Sequence, residues 1–391
     1  MRIGLVLPAL PGYSETFFQN KIKGLLEDEH EVILFINNRS SNKSFSGSVN
    51  YAPNLSGNAL LRGFNSFIAL LHLGLFSYRS THTFWQLEKA DGSSFSQILK
   101  LLVINSHILK CRLDWLHFGF ATMGINRELV GKAIGAKVAV SFRGYDIYVY
   151  PLKHPECYFK LWKNSDKIHT LSDGLLNQAL GLGLDENVSV VKITPAIDVN
   201  KYTIGKSVFN PNKAIRILTV SRLHWIKGIE YVLEALSKVK TAGYSIEYTL
   251  VGEGEEYERL VYAAYQLGLT NEVKFVGKKE HSEIPQLMAS HDIYIQYSVQ
   301  EGFCNAVLEA QAAGMLCIVS DAEGLSENVL HEKTGWVVPK RQPNLLASKI
   351  ETIYNRPQAA LLKISKYASE RVLQEYNLEL QKKRFIQFYQ S

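Results

Sequence analysis

Two cationic residues, Arg222 and Lys227, follow an apolar run that ends at Val220, and Gly228 opens the next helical pattern. Where a strand leads into a helix, such cations converge with the free N–H groups of the helix N-terminus, and the combination suits a bound phosphate. Two solvated surface charges are the alternative interpretation. The pair is therefore a candidate anion site.

Two carboxylates, Glu301 and Glu309, lie eight positions apart in a segment that follows the apolar run 293–296. Eight positions span about 12 Å along a helix, more than the roughly 5–9.5 Å between the carboxyls of a glycosidase pair. We therefore expect the two to contact different ends of one elongated ligand. A nucleotide sugar has that shape, with its diphosphate placed for Arg222 and Lys227. The alternative is one surface glutamate and one on a helix face.

Short apolar or β-branched runs alternate with helical patterns along the whole chain, which predicts parallel α/β sheets. In the first half the predicted strands are Ile3–Leu7, Val32–Phe35, Trp115–Phe118, Val138–Phe142, Lys167–Leu171 and Val188–Ile193. In the second half they are Ile215–Val220, Tyr248–Val251, Val273–Val276, Ile293–Gln296 and Leu316–Val319. Two doubly wound domains in tandem would place an interdomain cleft at the carboxyl ends of their strands.

Composition excludes several other classes of protein. The 391 residues, 46% hydrophobic and 20% charged, are typical of two globular domains. A net charge of +6 does not indicate a nucleic-acid-binding protein. The four cysteines lack the spacing of a zinc site or a disulfide framework and fit a reducing, cytoplasmic setting. The N-terminus predicts a strand rather than a signal peptide, and the apolar stretch 64–76 is shorter than the ~20 residues of a membrane span.

The segment from Glu301 to Glu309 resembles the Glu-x(7)-Glu signature of glycosyltransferase family 4, which comprises retaining enzymes of the GT-B fold. Further motifs follow that family's order: Val220-Ser221-Arg222 with Lys227-Gly228, Leu250-Val251-Gly252-Glu253-Gly254, Phe275-Val276-Gly277, and Thr334-Gly335 before Val338-Pro339. The first half is similar more loosely, through Ser14-Glu15-Thr16-Phe17, His117-Phe118-Gly119 and Arg143-Gly144-Tyr145-Asp146. This pattern is like that of enzymes building bacterial exopolysaccharide or lipopolysaccharide.

The resemblance implies a role for each matching residue. Arg222 and Lys227 would neutralise the donor diphosphate. Glu309 would hydrogen-bond the ribose hydroxyls, and Glu301 would face the transferred sugar. Backbone groups of Gly302, Phe303, Cys304 and Asn305 would hold sugar hydroxyls or phosphate, the turn with Lys278 and Lys279 would line the base, and Gly12 would approach the phosphates from across the cleft. In the first domain His117 and Arg143 are the catalytic candidates, although a histidine at a strand end is more often structural.

The implied architecture is α/β, with two Rossmann-like domains. Residues 1–198 would bind the acceptor, 199–213 would form a linker, 214–373 would bind the nucleotide sugar, and the helix in 374–391 would pack back on the first domain. The implied reaction moves a sugar from a nucleoside-diphosphate donor to a glycan or lipid-linked saccharide, with retention. Neither a cofactor nor a metal is expected, since no Asp-x-Asp metal motif is present.

Three positions depart from the family pattern. Arg143 stands where many relatives have His, Cys304 where Gly or Pro is common, and Ala196 where a Gly often precedes the Ile-Asp pair. The change at Arg143 matters most, because arginine is a fixed cation that cannot share a proton as imidazole does. It is expected instead to clamp a phosphate or an acidic sugar.

Apolar stretches flanked by basic residues suggest peripheral contact with the inner face of the plasma membrane. One is 64–76 between Arg62 and Arg79, and a second apolar run lies among Lys100, Lys110 and Arg112. The alternative is a pair of ordinary helices packed in the core.

Other functions stay open at this point. The Gly252-x-Gly254 pair after a strand suggests a nicotinamide oxidoreductase, but Tyr257 occupies the place of the third glycine. A nucleotide-sugar epimerase, a sugar phosphorylase or a catalytically silent scaffold subunit would share the fold and the phosphate site.

Overall fold

The computed structural model describes residues 1–11, 16–37, 47–202 and 213–390. The chain divides into two compact units, each built around its own parallel sheet. The first unit comprises Met1–Ile193 with Lys382–Ser391, and the second comprises Thr194–Gln381.

The first unit contains a seven-stranded parallel sheet with the order β3-β2-β1-β4-β5-β6-β7. Its strands are β1 (Arg2–Leu7), β2 (Glu31–Ile36), β3 (Ser48–Tyr51), β4 (Trp115–Phe118), β5 (Lys137–Ser141), β6 (Lys167–Thr170) and β7 (Ser189–Lys192). The central strands are mostly apolar because helices cover both faces of such a sheet. The strand order reverses between β1 and β4, so their carboxyl ends flank a crevice in which open α/β sheets bind ligands.

In the described part of this unit, eight helices connect or flank these strands: α1 (Thr16–Glu27), α2 (Ala59–Phe76), α3 (Tyr78–Ala90), α4 (Phe95–Leu109), α5 (Val130–Ile134), α6 (Tyr150–Lys153), α7 (Phe159–Lys163) and α8 (Asp173–Gly181). A short 3₁₀ turn at Ala121–Gly124 and a π turn at Tyr145–Val149 lie in the loops after β4 and β5. Asn58 caps α2 and Ser94 caps α4, each by accepting from a backbone N–H of the first turn.

The second unit contains a six-stranded parallel sheet with the order β10-β9-β8-β11-β12-β13. Its strands are β8 (Ile215–Val220), β9 (Ile246–Val251), β10 (Val273–Phe275), β11 (Ile293–Gln296), β12 (Leu316–Ser320) and β13 (Trp336–Val338). The connecting helices are α9 (Ile229–Thr241), α10 (Tyr257–Gln266), α11 (Ile284–Ala289), α12 (Asn305–Ala312), α13 (Leu325–Asn328), α14 (Pro343–Tyr354) and α15 (Gln358–Glu375). The order again reverses once, between β8 and β11, which marks the crevice of this unit.

The final helix, α16 (Leu378–Gln390), begins in the second unit, and from Lys382 onward it belongs to the first. The Lys382 ammonium lies 2.7 Å from the Glu27 carboxylate, and the Trp115 indole N–H donates to the Tyr389 carbonyl at 3.0 Å. The side chains of Phe385, Phe388 and Tyr389 are buried. The end of the chain therefore completes the core of the first unit.

The boundaries of the units differ from the predicted 198 and 373. The reason at the second boundary is that two distant chain segments pair with each other. Within the second unit, Ile197 forms a β-bridge with Asn377, which extends that unit beyond α15. Of the predicted linker 199–213, Val199–Lys201 forms a 3₁₀ turn and Tyr202 is buried. Residues 203–212 lie outside the described part of the chain.

Candidate functional site

Lys227 and Glu301 meet at the crevice between β8 and β11. Lys227 ends a 3₁₀ turn (Trp225–Lys227) after β8, and Glu301 lies in the loop after β11. The Lys227 ammonium donates to Glu301 Oε2 at 2.5 Å, and each side chain is 15% exposed. Burial lowers the pKa of Lys227, but the Glu301 carboxylate outweighs that effect, so the net shift is upward. The structure thus brings together two of the predicted site residues as an ion pair.

A buried chain of donors fixes the Glu301 carboxylate. The Ser298 hydroxyl donates to Glu301 Oε2 at 3.2 Å, and the Gln296 side-chain amide donates to the Ser298 hydroxyl at 2.9 Å. Both Gln296 and Ser298 are buried. One carboxylate oxygen therefore accepts from both Ser298 and Lys227, which leaves Glu301 Oε1 as the atom better placed to meet a ligand.

The loop 301–305 is held from the side by the segment that follows β12. The Gly324 N–H donates to the Glu301 carbonyl at 2.9 Å, and the Asn328 amide donates to the Cys304 carbonyl at 3.1 Å. A Cβ on Gly324 would lie 1.9 Å from the Gly302 carbonyl oxygen, so the two loops approach more closely than any other residue would allow. This second segment therefore sets the path of the ligand loop.

One of the backbone groups predicted to contact a ligand in this loop already has a partner. The Cys304 N–H donates to Asn328 Oδ1 at 2.9 Å. The side chains of Phe303 and Cys304 are buried, and burial raises the pKa of the Cys304 thiol to about 12. Gly302 is buried too, and Asn305 begins α12. What this loop offers a ligand is therefore main chain rather than the side chains of Phe303 and Cys304.

Glu309 lies one turn into α12 and is 8% exposed. Burial raises the pKa of its carboxyl to about 7, although the Tyr202 hydroxyl and the Lys201 ammonium act in the opposite direction. His281 Nε2 lies 3.9 Å from Glu309 Oε1, and burial lowers the pKa of that imidazole. Glu309 is therefore a carboxyl that can gain or lose a proton near neutral pH, with a histidine and a tyrosine beside it.

Of the remaining predicted cations of this unit, Arg222 and Lys278 are exposed and Lys279 is half-buried. Arg222 follows β8, and its charge acts to lower the pKa of Lys227, which places the two cations near each other. Lys278 lies 3.4 Å from the Glu253 carboxylate, and Lys279 lies 3.3 Å from Glu283. Both lysines are thus paired with carboxylates of their own unit.

The paired glycines after β9 have a structural explanation. A Cβ on Gly252 would lie 1.8 Å from the Ser221 carbonyl oxygen, and one on Gly254 would lie 2.2 Å from the Leu223 carbonyl oxygen. These glycines therefore let the loop after β9 press against the loop that carries Arg222. Close backbone packing accounts for the Gly252-x-Gly254 pattern, and the oxidoreductase alternative loses the observation on which it depended.

His117, predicted as a catalytic candidate, is completely buried in β4. Its Nδ1 lies 2.6 Å from the Tyr389 hydroxyl, and its Nε2 lies 2.7 Å from the Ser141 hydroxyl. Burial holds its pKa well below the ordinary value. The histidine therefore joins α16 to the sheet of the first unit, and the structure favours the structural interpretation over the catalytic one.

Arg143 follows β5 and lies over the rings of Phe17 and Phe18, with its guanidinium carbon 4.5 and 4.7 Å from their centroids. Its backbone N–H donates to Asp146 Oδ2 at 3.0 Å. Aromatic stacking of this kind suits a guanidinium better than an ammonium. Gly12, the other predicted residue of this unit, lies outside the described residues.

Several residues at these sites were not predicted. Ser298, Glu323 and Asn328 form the support of the ligand loop, and Lys21 is buried against His117, with Nζ 3.1 Å from Nδ1. Burial lowers the pKa of Lys21 strongly. The sequence did contain a signal for this burial, since Lys21 lies on the same helical face as the apolar residues Phe17, Phe18 and Leu25.

Among the residues that the structure describes, no three His, Cys, Asp or Glu side chains converge to hold a metal ion.

Residues 200–371 match the family model described as glycosyl transferases group 1. The sequence is 26% identical to WcaL of Escherichia coli (strain K12), over 97% of both chains. The name of that protein describes it as a colanic acid biosynthesis glycosyltransferase. It is also 26% identical to the amylovoran biosynthesis glycosyltransferase AmsK of Erwinia amylovora, over 73% of this chain and 72% of AmsK. These matches confirm the resemblance drawn from the motifs.

Solved structures confirm the predicted α/β fold of two Rossmann-like domains. Sucrose-phosphate synthase from Thermosynechococcus elongatus superposes with a TM-score of 0.75 at 17% identity, over 100% of this chain and 98% of that one. The Anabaena protein Alr3699/HepE, solved in complex with UDP and glucose, superposes with a TM-score of 0.72 at 16% identity, over 99% and 98% of the two chains.

Proposed function

We propose that this chain, a glycosyltransferase by the match of residues 200–371 to group 1, moves a sugar from a nucleoside-diphosphate donor to a hydroxyl acceptor with retention. The observation that carries the proposal is the Lys227–Glu301 ion pair at the crevice of the second sheet. Arg222 lies nearby after β8, and Glu309 follows on α12. The cations that would bind a diphosphate and the carboxylates that would bind hydroxyl groups therefore lie at one edge of the second sheet.

Glu301 supplies the counter-charge of Lys227. A donor diphosphate beside Lys227 and Arg222 would take over that role, because its two phosphate groups carry two negative charges where the Glu301 carboxylate carries one. The Glu301 carboxylate would then be released to accept hydrogen bonds from the sugar hydroxyls. The ion pair thus keeps the cation in position before the donor binds.

Bond cleavage leaves growing negative charge on the departing diphosphate. Fixed cations directed at that group stabilise the transition state more than the ground state. Loss of one such contact costs several kcal/mol, about 100-fold or more in rate. We propose that Arg222, Lys227 and backbone N–H groups supply this stabilisation without a metal ion.

The Glu309 carboxylate is assigned to the ribose. When ionised, it can accept hydrogen bonds from two adjacent hydroxyl groups, the arrangement that a ribose presents. The Tyr202 hydroxyl and the Lys201 ammonium favour its ionised form. A bound ribose would add two further donors and shift the proton equilibrium in the same direction.

For the acceptor we propose a saccharide or lipid-linked saccharide of a bacterial surface polysaccharide. The names of the relatives WcaL and AmsK, which refer to colanic acid and amylovoran biosynthesis, support this choice. Epimerisation or phosphorolysis on the same fold would need no such acceptor. Product analysis with and without added acceptor, and the anomeric configuration of the product by NMR, would distinguish these reactions and test retention.

The donor site is tested by thermal shifts with UDP, GDP, ADP and CMP on the native chain and on Lys227→Ala and Glu309→Ala. Lys349→Ala is the matched control, since Lys349 also pairs with a carboxylate of the second unit, Glu332, at 3.6 Å. We expect one nucleoside diphosphate to stabilise the native and control chains and to stabilise the two site variants less. Equal stabilisation of all four chains, or of none, would refute the assignment.

A further inference from the structure

Helix α2 exposes its apolar residues to solvent. Eight of its leucine, isoleucine and phenylalanine side chains are each at least 47% exposed: Leu60, Leu61, Phe64, Phe67, Ile68, Leu71, Leu75 and Phe76. Leu73 is the residue of this helix that is buried. The sequence had left open whether the stretch packs in a core; the structure shows that α2 does not, whereas α4 is largely buried.

The exposed residues form one continuous stripe. Positions 60, 64, 67, 71 and 75 recur every three to four residues, the spacing that places side chains on one side of a helix. The opposite side faces the first unit: Leu73 is buried, and its carbonyl accepts from the Thr81 hydroxyl at 3.4 Å. At 1.5 Å per residue, the stripe extends for roughly 25 Å. An apolar surface of this size on a folded protein marks an interaction site.

The surroundings of the stripe are basic. The sequence contains no Asp or Glu between Glu31 and Glu88, while Arg62 and Arg79 lie within and just beyond α2 and are exposed. Two carboxylates on the neighbouring segment, Glu88 and Asp91, both pair with Lys160, at 3.1 and 2.6 Å. Lys160 thus offsets part of this negative charge within the fold, and the positive charges of Arg62 and Arg79 remain for a partner.

We propose that α2 docks this protein on an anionic phospholipid bilayer, with the stripe buried among the lipid headgroups and upper acyl chains. An apolar face bordered by arginines matches the two components of such a surface, hydrocarbon and anionic phosphate. Exposed Tyr78 and Phe95 extend the apolar area beyond the helix, as aromatic residues do at membrane interfaces.

The helix lies flat on the bilayer in this arrangement. By length and composition alone, α2 is long and apolar enough to cross a membrane. However, α3 begins two residues after α2 ends, and α2 packs against both α3 and α4, which carry Arg79, Lys89 and Lys100. A crossing helix would draw these charges into hydrocarbon, which is costly. A helix in the interfacial plane leaves them in water.

A second copy of the chain fits the stripe less well than lipid does. Two-fold symmetry presents the same patch from both sides, so the arginines of one copy would meet those of the other. Like charges facing each other across an interface oppose association. A bilayer with anionic lipids supplies the opposite charge instead.

The test is sedimentation of the full chain with vesicles of phosphatidylcholine alone and of phosphatidylcholine mixed with phosphatidylglycerol. We expect binding to the mixed vesicles that weakens as salt is added. Phe64→Glu with Leu71→Glu should weaken it by about a hundredfold. Arg62→Gln and Arg79→Gln should each weaken it by about fivefold. The matched control is Tyr265→Glu with Leu362→Glu, two exposed apolar side chains of the second unit.

Absence of vesicle binding by the native chain would overturn the proposal, and so would equal binding by the Phe64/Leu71 variant and its control. If the native chain instead forms dimers that the Phe64/Leu71 variant abolishes, a second copy is the occupant and lipid is not. Thermal shifts with nucleotide, measured on the same variants, keep this result separate from the donor site: failure of membrane docking leaves nucleotide binding unchanged.

Discussion

The Lys227 ammonium and the Glu301 carboxylate, 74 positions apart in the chain, lie 2.5 Å from each other where two adjacent parallel strands end. Glu301 is not held by its own loop alone, because the Glu323 carboxylate, in the segment after β12, accepts from the Glu301 N–H. The geometry of the pair therefore depends on the sheet, and its charges can be tested one at a time.

Lys227→Ala should reduce kcat/KM by about 100-fold or more, since it removes a cation directed at the leaving diphosphate. Steady-state kinetics with the donor identified by thermal shift is the measurement. Lys349→Ala should leave kcat/KM within about twofold of the native value, because a partly exposed ion pair contributes little. Equal losses in the two variants would point to a general effect on folding rather than to the site.

Glu301→Gln should separate the nucleotide from the sugar. The amide keeps the shape of the side chain but removes the charge that holds Lys227, so the affinity for the nucleoside diphosphate alone should stay the same or rise. Turnover of the complete donor should fall, since the amide no longer accepts from sugar hydroxyls at both of its ends. Calorimetric titration with the diphosphate, beside kinetics with the sugar donor, measures the two effects. A parallel loss of both would contradict the assigned role.

The pH dependence of stability should report on Glu309. Its pKa is raised in the folded chain to about 7 from an ordinary 4.5, so the folded state binds the proton more tightly than the unfolded state does. The stabilisation that the protonated carboxyl provides is complete below pH 4.5 and is lost as the pH rises towards 7. Over that interval the free energy of unfolding should fall by about 3 kcal/mol relative to Glu309→Gln. Denaturant unfolding of both chains at several pH values measures the difference; parallel curves would refute the shift.

Donor binding should show the opposite trend around the same pKa. If the ionised carboxylate accepts from ribose hydroxyls, the affinity for a nucleoside diphosphate should rise as the pH passes through about 7. The 2′-deoxynucleotide is the matched ligand, because it lacks one of the two hydroxyl groups. Its affinity should depend on pH less steeply, and an identical slope for both ligands would place the ribose elsewhere.

Gly252→Ala should destabilise the second unit and weaken nucleotide binding, because the added Cβ would lie 1.8 Å from the Ser221 carbonyl oxygen beside Arg222. Gly243→Ala is the matched control: its φ is also positive, at 93°, but nothing lies within 4 Å of the added Cβ. Both variants carry the conformational strain of a positive φ. The difference between their melting temperatures therefore isolates the clash, and equal melting temperatures would disprove close loop packing.

The sequence predicts much of the fold because the central strands are buried on both faces. Runs such as 3–7 and 215–220 are largely apolar and are found as β1 and β8. The strands β3 and β13 escaped prediction: β3 is a half-exposed four-residue edge strand, and β13 has three residues. Neither is long enough to show a period or a continuous apolar run.

The candidate site was predictable only in part. Local patterns identify Arg222, Lys227, Glu301 and Glu309, because each lies in a strand–loop–helix segment with its own motif. The support from Asn328 depends on a contact across 24 positions, which no local pattern encodes. The role of His117 could be assigned only from its burial in the structure, since a polar residue at a strand end looks the same in sequence whether it faces a ligand or a neighbouring helix.

The path of α16 has a consequence for how the protein is made. Trp115 and Lys167 of the first sheet donate to the carbonyls of Tyr389 and Phe388, near the end of the chain. During synthesis, the first unit therefore lacks these partners until the ribosome has translated the whole second unit. The half of the protein that is made first is the half that finishes folding last, and a chain truncated before Lys382 would leave its core open.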